Sequence, residues 1–204
     1  MIPIRPQAEP NDFNGKVRQP GQIFLANKPN PKNNEWKGKD YWRICIPDLY
    51  ELYGGICAYS AQWIPLETGV ATVDHFEPKA VFPHLAYEWT NFRLASSKLN
   101  SRKGSTRDVI DPFTLSNESF QLDFPSLLMK PNPALSDDEK TTLLKTIDRL
   151  KLNFESGIRS RLRWVRDYSA NEINFDYLQK NAPFIAYELE RQGLRETIKE
   201  ILSM

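Results

Sequence analysis

The stretch that decides the fold is ATVDHFEPKAVFPHLAYEWTNFRLASSKLNSRKG, residues 71–104. It opens on a strand-like alternation, with Val70, Thr72 and Asp74 facing one way and Ala71, Val73 and His75 the other. Pro78 ends that run, Pro83 falls in the loop beyond it, and NFRLASSKLNSRKG allows a helix bearing Asn100 and stopped near Gly104. Asp74-His75, Asn91 and Asn100 form a pattern with a mechanism. A neutral imidazole can take a proton from water, while a carboxylate and an amide can hold a hard cation through oxygen. The chain has only two histidines, His75 and His84, and His84 reads as a loop residue outside the pattern. Neighbouring strand residues point to opposite faces, so Asp74 and His75 can serve one phosphate only if the strand twists or ends there.

Working outward, residues 1–39 are proline-rich with few periodic apolar positions and read as an irregular arm. YWRICIPDLYELYGG follows, with Leu49, Leu52 and Tyr53 on one helical face and Gly54-Gly55 as the stop. ICAYSAQWIP reads as a turn-bearing strand region. Beyond residue 115 the pattern is helical. Ser136 and Glu139 make a capping box, and Leu143, Ile147, Leu150 and Phe154 recur at helical spacing. Ile158, Leu162, Val165 and Tyr168 form a second face, opposite Arg159, Arg163 and Arg166, which reads as solvated or salt-bridged. Asn181-Ala182-Pro183 opens a helix through Leu189, and Leu194, Ile198 and Ile201 close the chain.

The chain of 204 residues has a net charge of +1, which excludes a generally basic nucleic-acid binder. The excess of Lys and Arg lies in residues 1–44, where it forms a solvated loop or an arm along a phosphate backbone. Two cysteines, Cys45 and Cys57, cannot make a disulfide framework. No apolar run is long enough to span a bilayer and the N-terminus has no signal core, so a cytoplasmic location with no membrane partner is expected.

DHFEPK at 74–79, Asn91 and NSRKG at 100–104 together resemble the HNH endonucleases, whose core is two strands and a helix around one metal ion. The step from Asn91 to Asn100 is similar to that in the HNH domains of RNA-guided CRISPR nucleases. The match runs from Cys57 to Gly104. The DPF at 111–113 and TIDRLKLN at 146–153 look like bacterial HNH proteins paired with ATPases in anti-phage defence, such as Septu-type systems. The resemblance implies that His75 is the general base, that Asp74 and Asn100 hold one divalent metal, Mg2+ or Mn2+, and that Asn91 braces the loop orienting His75. It also makes Lys103, Arg102 and Lys79 candidates for phosphate contacts. Many relatives carry two Cys-x-x-Cys pairs around a structural zinc. Here those positions read Cys57-Ala-Tyr-Ser60 and Ser96-Ser-Lys-Leu99, so no structural zinc is expected. Ile56, Trp63, Trp89, Leu94 and Leu99 are expected to pack that space instead.

The expected architecture is α+β, an HNH ββα-metal core at 45–115 within a mainly helical protein. An irregular basic arm at 1–44 precedes it and a helical subdomain at 116–204 follows. The implied activity is metal-dependent cleavage of nucleic acid, DNA in preference to RNA, with an ATPase partner. An RNase acting on transfer RNA and a catalytically silent module binding nucleic acid or protein are the alternatives.

Overall fold

The computed structural model describes residues 1–198, which fall into two units. One comprises residues 5–57 and 64–107; the other comprises 1–4, 58–63 and the chain from 108 onward. Helices and two separate two-stranded antiparallel sheets make the chain α+β. Among the described residues no helix is long and apolar enough to cross a membrane.

In the first of these units the N-terminal segment departs from the expected irregular arm. A π-helical turn at Asn14–Arg18 runs directly into helix α1 (Gln19–Asn27). Phe13 and Val17, one turn apart, are both buried and anchor it. The prolines do not break this helix because Pro20 occupies its first turn, where the missing N–H is no loss. α1 lies hard against Tyr87. A Cβ built on Gly21 would fall 2.1 Å from that ring.

Helix α2 (Ile46–Leu52) likewise carries its proline in the first turn and stops at Gly54 and Gly55, whose φ values are 59° and 69°. Strands β1 (Ala71–His75) and β2 (Phe92–Ser96) pair antiparallel, and helix α3 (Ser97–Lys103) follows without a gap. The first half of the stretch read as a helix is therefore β2. Pairing with β1 buries Phe92 and Leu94, and this long-range gain overrides local preference.

The second unit contains a hairpin the sequence reading missed, β3 (Phe120–Asp123) with β4 (Leu128–Pro131). Helix α4 (Asp137–Leu150) begins at the expected capping box, with Ser136 Oγ accepting from the Glu139 amide and Glu139 accepting from the Ser136 amide. Leu143, Ile147 and Leu150 are buried, but Phe154 is exposed because Lys151 turns left-handed and restarts the chain. Helix α5 (Glu155–Ser169) buries Val165 and, unexpectedly, Arg161. The Arg161 guanidinium donates to the Leu127 carbonyl at 2.8 Å and the Leu152 carbonyl at 3.0 Å, while burial pushes its pKa down to about 10. Arg159 and Arg163 form ion pairs on the exposed face with Glu155 and Asp167.

Helix α6 (Phe175–Asn181), capped by Asn174, precedes the expected helix, which is α7 (Pro183–Arg191). Glu188 on α7 is fully buried. It accepts from the Leu122 amide at 2.8 Å and from Arg191 at 2.7 and 2.8 Å, tying the helix to β3. Ile198 is buried, while Ile201 lies outside the described residues.

Two glycines on the N-terminal helical run should respond oppositely to alanine. Gly21→Ala must push the Tyr87 ring aside and is expected to destabilise the fold by about 1–3 kcal/mol. Gly15→Ala has open space within 4 Å and should stabilise it by about 0.5–1 kcal/mol. Urea unfolding of the two variants checks both signs.

Candidate functional site

The β1–β2 register places Asp74 opposite Arg93 and His75 opposite Phe92. Next in the chain, the Ser96 side chain caps α3 by accepting from the Leu99 amide at 3.5 Å, and Gly104 at φ 59° ends it. Asn100 and Lys103 stand three apart and so share one helix face. That face lies along β1. Asn100 Nδ2 donates to Thr72 Oγ1 at 3.0 Å and to the Val73 carbonyl at 3.2 Å. A carbonyl can only accept, which settles the orientation of the amide. Its Oδ1 consequently faces away from those partners and accepts no hydrogen bond among the described residues.

Lys103 extends this contact to the strand end. Its ammonium lies 3.3 Å from each Asp74 oxygen and donates to the His75 carbonyl at 2.8 Å. Lys103 is 0% exposed and Asp74 2%. Lys103, expected at a substrate phosphate, therefore faces Asp74 instead. Arg93 is a second buried cation that the sequence reading missed. It donates to the Thr90 and Phe92 carbonyls at 2.8 and 2.9 Å, with its guanidinium 5.3 Å from the Phe76 ring centre.

His75 is 9% exposed. Its Nε2 lies 2.9 Å from the Ala86 carbonyl, so Nε2 carries the proton and Nδ1 carries the lone pair. Trp42 and Phe92 meet the imidazole edge-on, with centroids at 4.7 and 5.3 Å. Burial pushes the His75 pKa down to about 3. The Ala86 hydrogen bond opposes that shift, and the charges of Lys79 and Lys103 add to it.

Asn91 is buried and spends its side chain on the loop after β1. Oδ1 accepts from the Glu77 amide at 2.7 Å, while Nδ2 donates to the Glu77 carbonyl at 3.0 Å and the Leu85 carbonyl at 3.1 Å. Its own carbonyl accepts from Phe76 at 2.9 Å. Both ends of the loop are thus held, and Leu85 immediately precedes the carbonyl that grips His75.

The remaining candidates lie around this centre. Lys79 is half-buried, its ammonium 5.6 and 5.5 Å from the Trp36 and Trp42 ring centres, and burial lowers its pKa. Arg102 is half-buried in the last turn of α3. The exposed Arg107 was not singled out from the sequence; it donates to Glu77 at 3.2 Å and covers the Phe82 ring. His84 is exposed beside Phe82.

Cys57 Sγ accepts from the Ser96 amide at 3.4 Å, where the resemblance implies no structural zinc. Trp89, Leu94 and Leu99 are buried and Ile56 half-buried. Trp63 is 37% exposed and belongs to the other unit. Among the described residues no three His, Cys, Asp or Glu side chains cluster as a metal site. A carboxylate and an amide oxygen are, however, the hard donors magnesium accepts while keeping several waters. Asp74 and the Asn100 Oδ1 left without a protein donor fit that chemistry.

The depressed His75 pKa predicts a pH dependence of stability. The unfolded chain takes up the proton near 6.5, the folded chain only near 3, so stability is complete above about 6.5 and falls as pH drops through that window. Urea midpoints of chelator-treated protein should fall from pH 7.5 to 5.5, above the carboxylate range. They should stay nearly flat in His75→Gln, which keeps a donor for Ala86.

Set against known proteins, the chain matches no protein-family profile. Over 112 residues, 55% of its length, it is 27% identical to the Septu protein PtuB of Bacillus thuringiensis. The match spans about 40% of that relative's length. Beyond its own geometry, then, the site-bearing chain is similar in sequence to part of a Septu protein.

Proposed function

We propose that this chain is a metal-dependent endonuclease of the HNH type that hydrolyses phosphodiester bonds in DNA as an effector of anti-phage defence. One observation carries the reading. Asp74 and His75 end β1 and Asn100 stands on α3, the helix packed along that strand, with His75 held by the Ala86 carbonyl in the tautomer a base requires. The likeness to a Septu protein supports the defence context. In that setting a partner, an ATPase complex, supplies grip or control. The unit with the site carries 14 Lys and Arg against 10 Asp and Glu, a small positive excess suited to a polyanion that is also held by another protein.

In this mechanism His75 Nδ1 accepts the proton of an attacking water. The new water–phosphorus bond displaces the 3′-oxygen, which leaves with a proton from solvent, giving a 5′-phosphate and a 3′-hydroxyl. The Nε2–H bond to Ala86 keeps Nδ1 aimed and stabilises the imidazolium as it forms. Asn91 keeps that carbonyl in place through Leu85. Asp74 and Asn100 would hold the metal, which when bound stabilises charge on the phosphoryl and leaving oxygens. Arg102 and Lys79 are the cations that would meet phosphates flanking the cut.

The test offers purified protein a supercoiled plasmid, linear duplex DNA and transfer RNA, with magnesium, manganese or chelator. DNA cleavage is expected only with metal and should fall about 10²–10⁴-fold in His75→Ala. Wild type and His75→Ala behaving alike in every condition would overturn the assignment. Cleavage of RNA alone would replace the substrate, and binding without cleavage would leave a silent binding module.

A further inference from the structure

We propose that Lys103 is the built-in counter-cation of Asp74 and competes with a divalent metal ion for that carboxylate, so that loading the site displaces a buried ammonium. The inference rests on the nuclease reading above.

Geometry carries it. A strong charge-assisted N–H···O bond spans about 2.7–2.9 Å. Lys103 meets that length at the His75 carbonyl, at 2.8 Å, while it straddles the two Asp74 oxygens at 3.3 Å each. Its firm anchor is therefore the backbone, and its hold on the carboxylate is the looser one. A magnesium ligand must approach to about 2.0–2.1 Å, and an ammonium facing both oxygens stands across that approach. Two cations cannot share one carboxylate shielded from water without strong repulsion. The Asn100 oxygen, one turn earlier on the same helix face, gives an arriving ion a second ligand the ammonium does not use.

The exchange also has a direction. Lys103 can keep its bond to the His75 carbonyl while its remaining N–H groups turn from Asp74 to another anion. A phosphate oxygen beside the base is such an anion. Metal entry would then release the lysine for the substrate, and the two contacts would form together.

Manganese binding to the full chain, followed by calorimetry and by the rise in unfolding temperature, tests this without reading activity. Lys103→Met and Lys103→Gln should bind manganese about tenfold tighter than wild type and gain more thermal stability from it. Asp74→Asn should bind none at this site. If the lysine variants bind no tighter while Asp74→Asn abolishes binding, the competition is wrong and the metal site stands. Absence of manganese binding at Asp74 in every folded protein overturns both readings. Should neither lysine variant fold, the wild-type Lys103 ammonium resonance decides. It should shift as magnesium saturates Asp74, and an unmoved resonance at saturation overturns the proposal.

Discussion

A carboxylate and an ammonium, both withdrawn from water at the end of β1, determine where everything near the site lies. A pair of five-residue strands alone is marginally stable and needs a third element to cover it. α3 supplies that cover in a specific register, with Asn100 reading Thr72 and Val73 while Lys103 reads Asp74 and His75. Sliding the helix would break the contact between two buried charges and remove the donors of two backbone carbonyls at once. Losing one partner of such a pair costs about 3–5 kcal/mol, so the register is strongly specified even though the pair's net contribution to stability is small.

Asn91 performs the equivalent task on the other side of the imidazole. The loop between the strands contains Pro78 and Pro83 and only short 3-10 turns, so it cannot satisfy its own backbone by ladder bonds. One amide side chain supplies three of the missing bonds and ties the start of the loop to its middle. Because Leu85 and Ala86 are consecutive, bracing the loop and aiming His75 become one structural event. An isolated asparagine in a sequence reads as a turn or cap residue. Here it replaces a stretch of regular backbone pairing.

The sequence made legible whatever depends on near neighbours. The alternation of β1, the capping box of α4 and the glycine stops of α2 and α3 all appear where local pattern puts them. Illegible were the features set by distant partners. Phe92–Ser96 looks helical until β1 is beside it. Local pattern singles out nothing in Arg161, Glu188 and Arg93, and the resemblance puts Lys103 at a phosphate; charged residues are usually exposed, yet all four are buried. Arg161 needs carbonyls from positions 127 and 152, and Glu188 needs the amide of Leu122, none of which periodicity connects. The N-terminal prolines misled for the same reason. Their count suggests an irregular arm, and only their positions show that a helix can tolerate them.

Burial gives His75 two properties that pull against each other. It fixes the tautomer and holds the ring between Trp42 and Phe92, but it also lowers the pKa to about 3, far from the neutral range in which a general base works best. An imidazole in that state has little drive to take a proton from water. A phosphodiester brought to Nδ1 shifts the balance, because an adjacent negative charge favours the imidazolium and offsets Lys79 and Lys103. On the nuclease reading, the substrate thus raises the basicity of the group that activates the attacking water. On the same reading, a polyanion held against the site is what makes the buried imidazole a usable base.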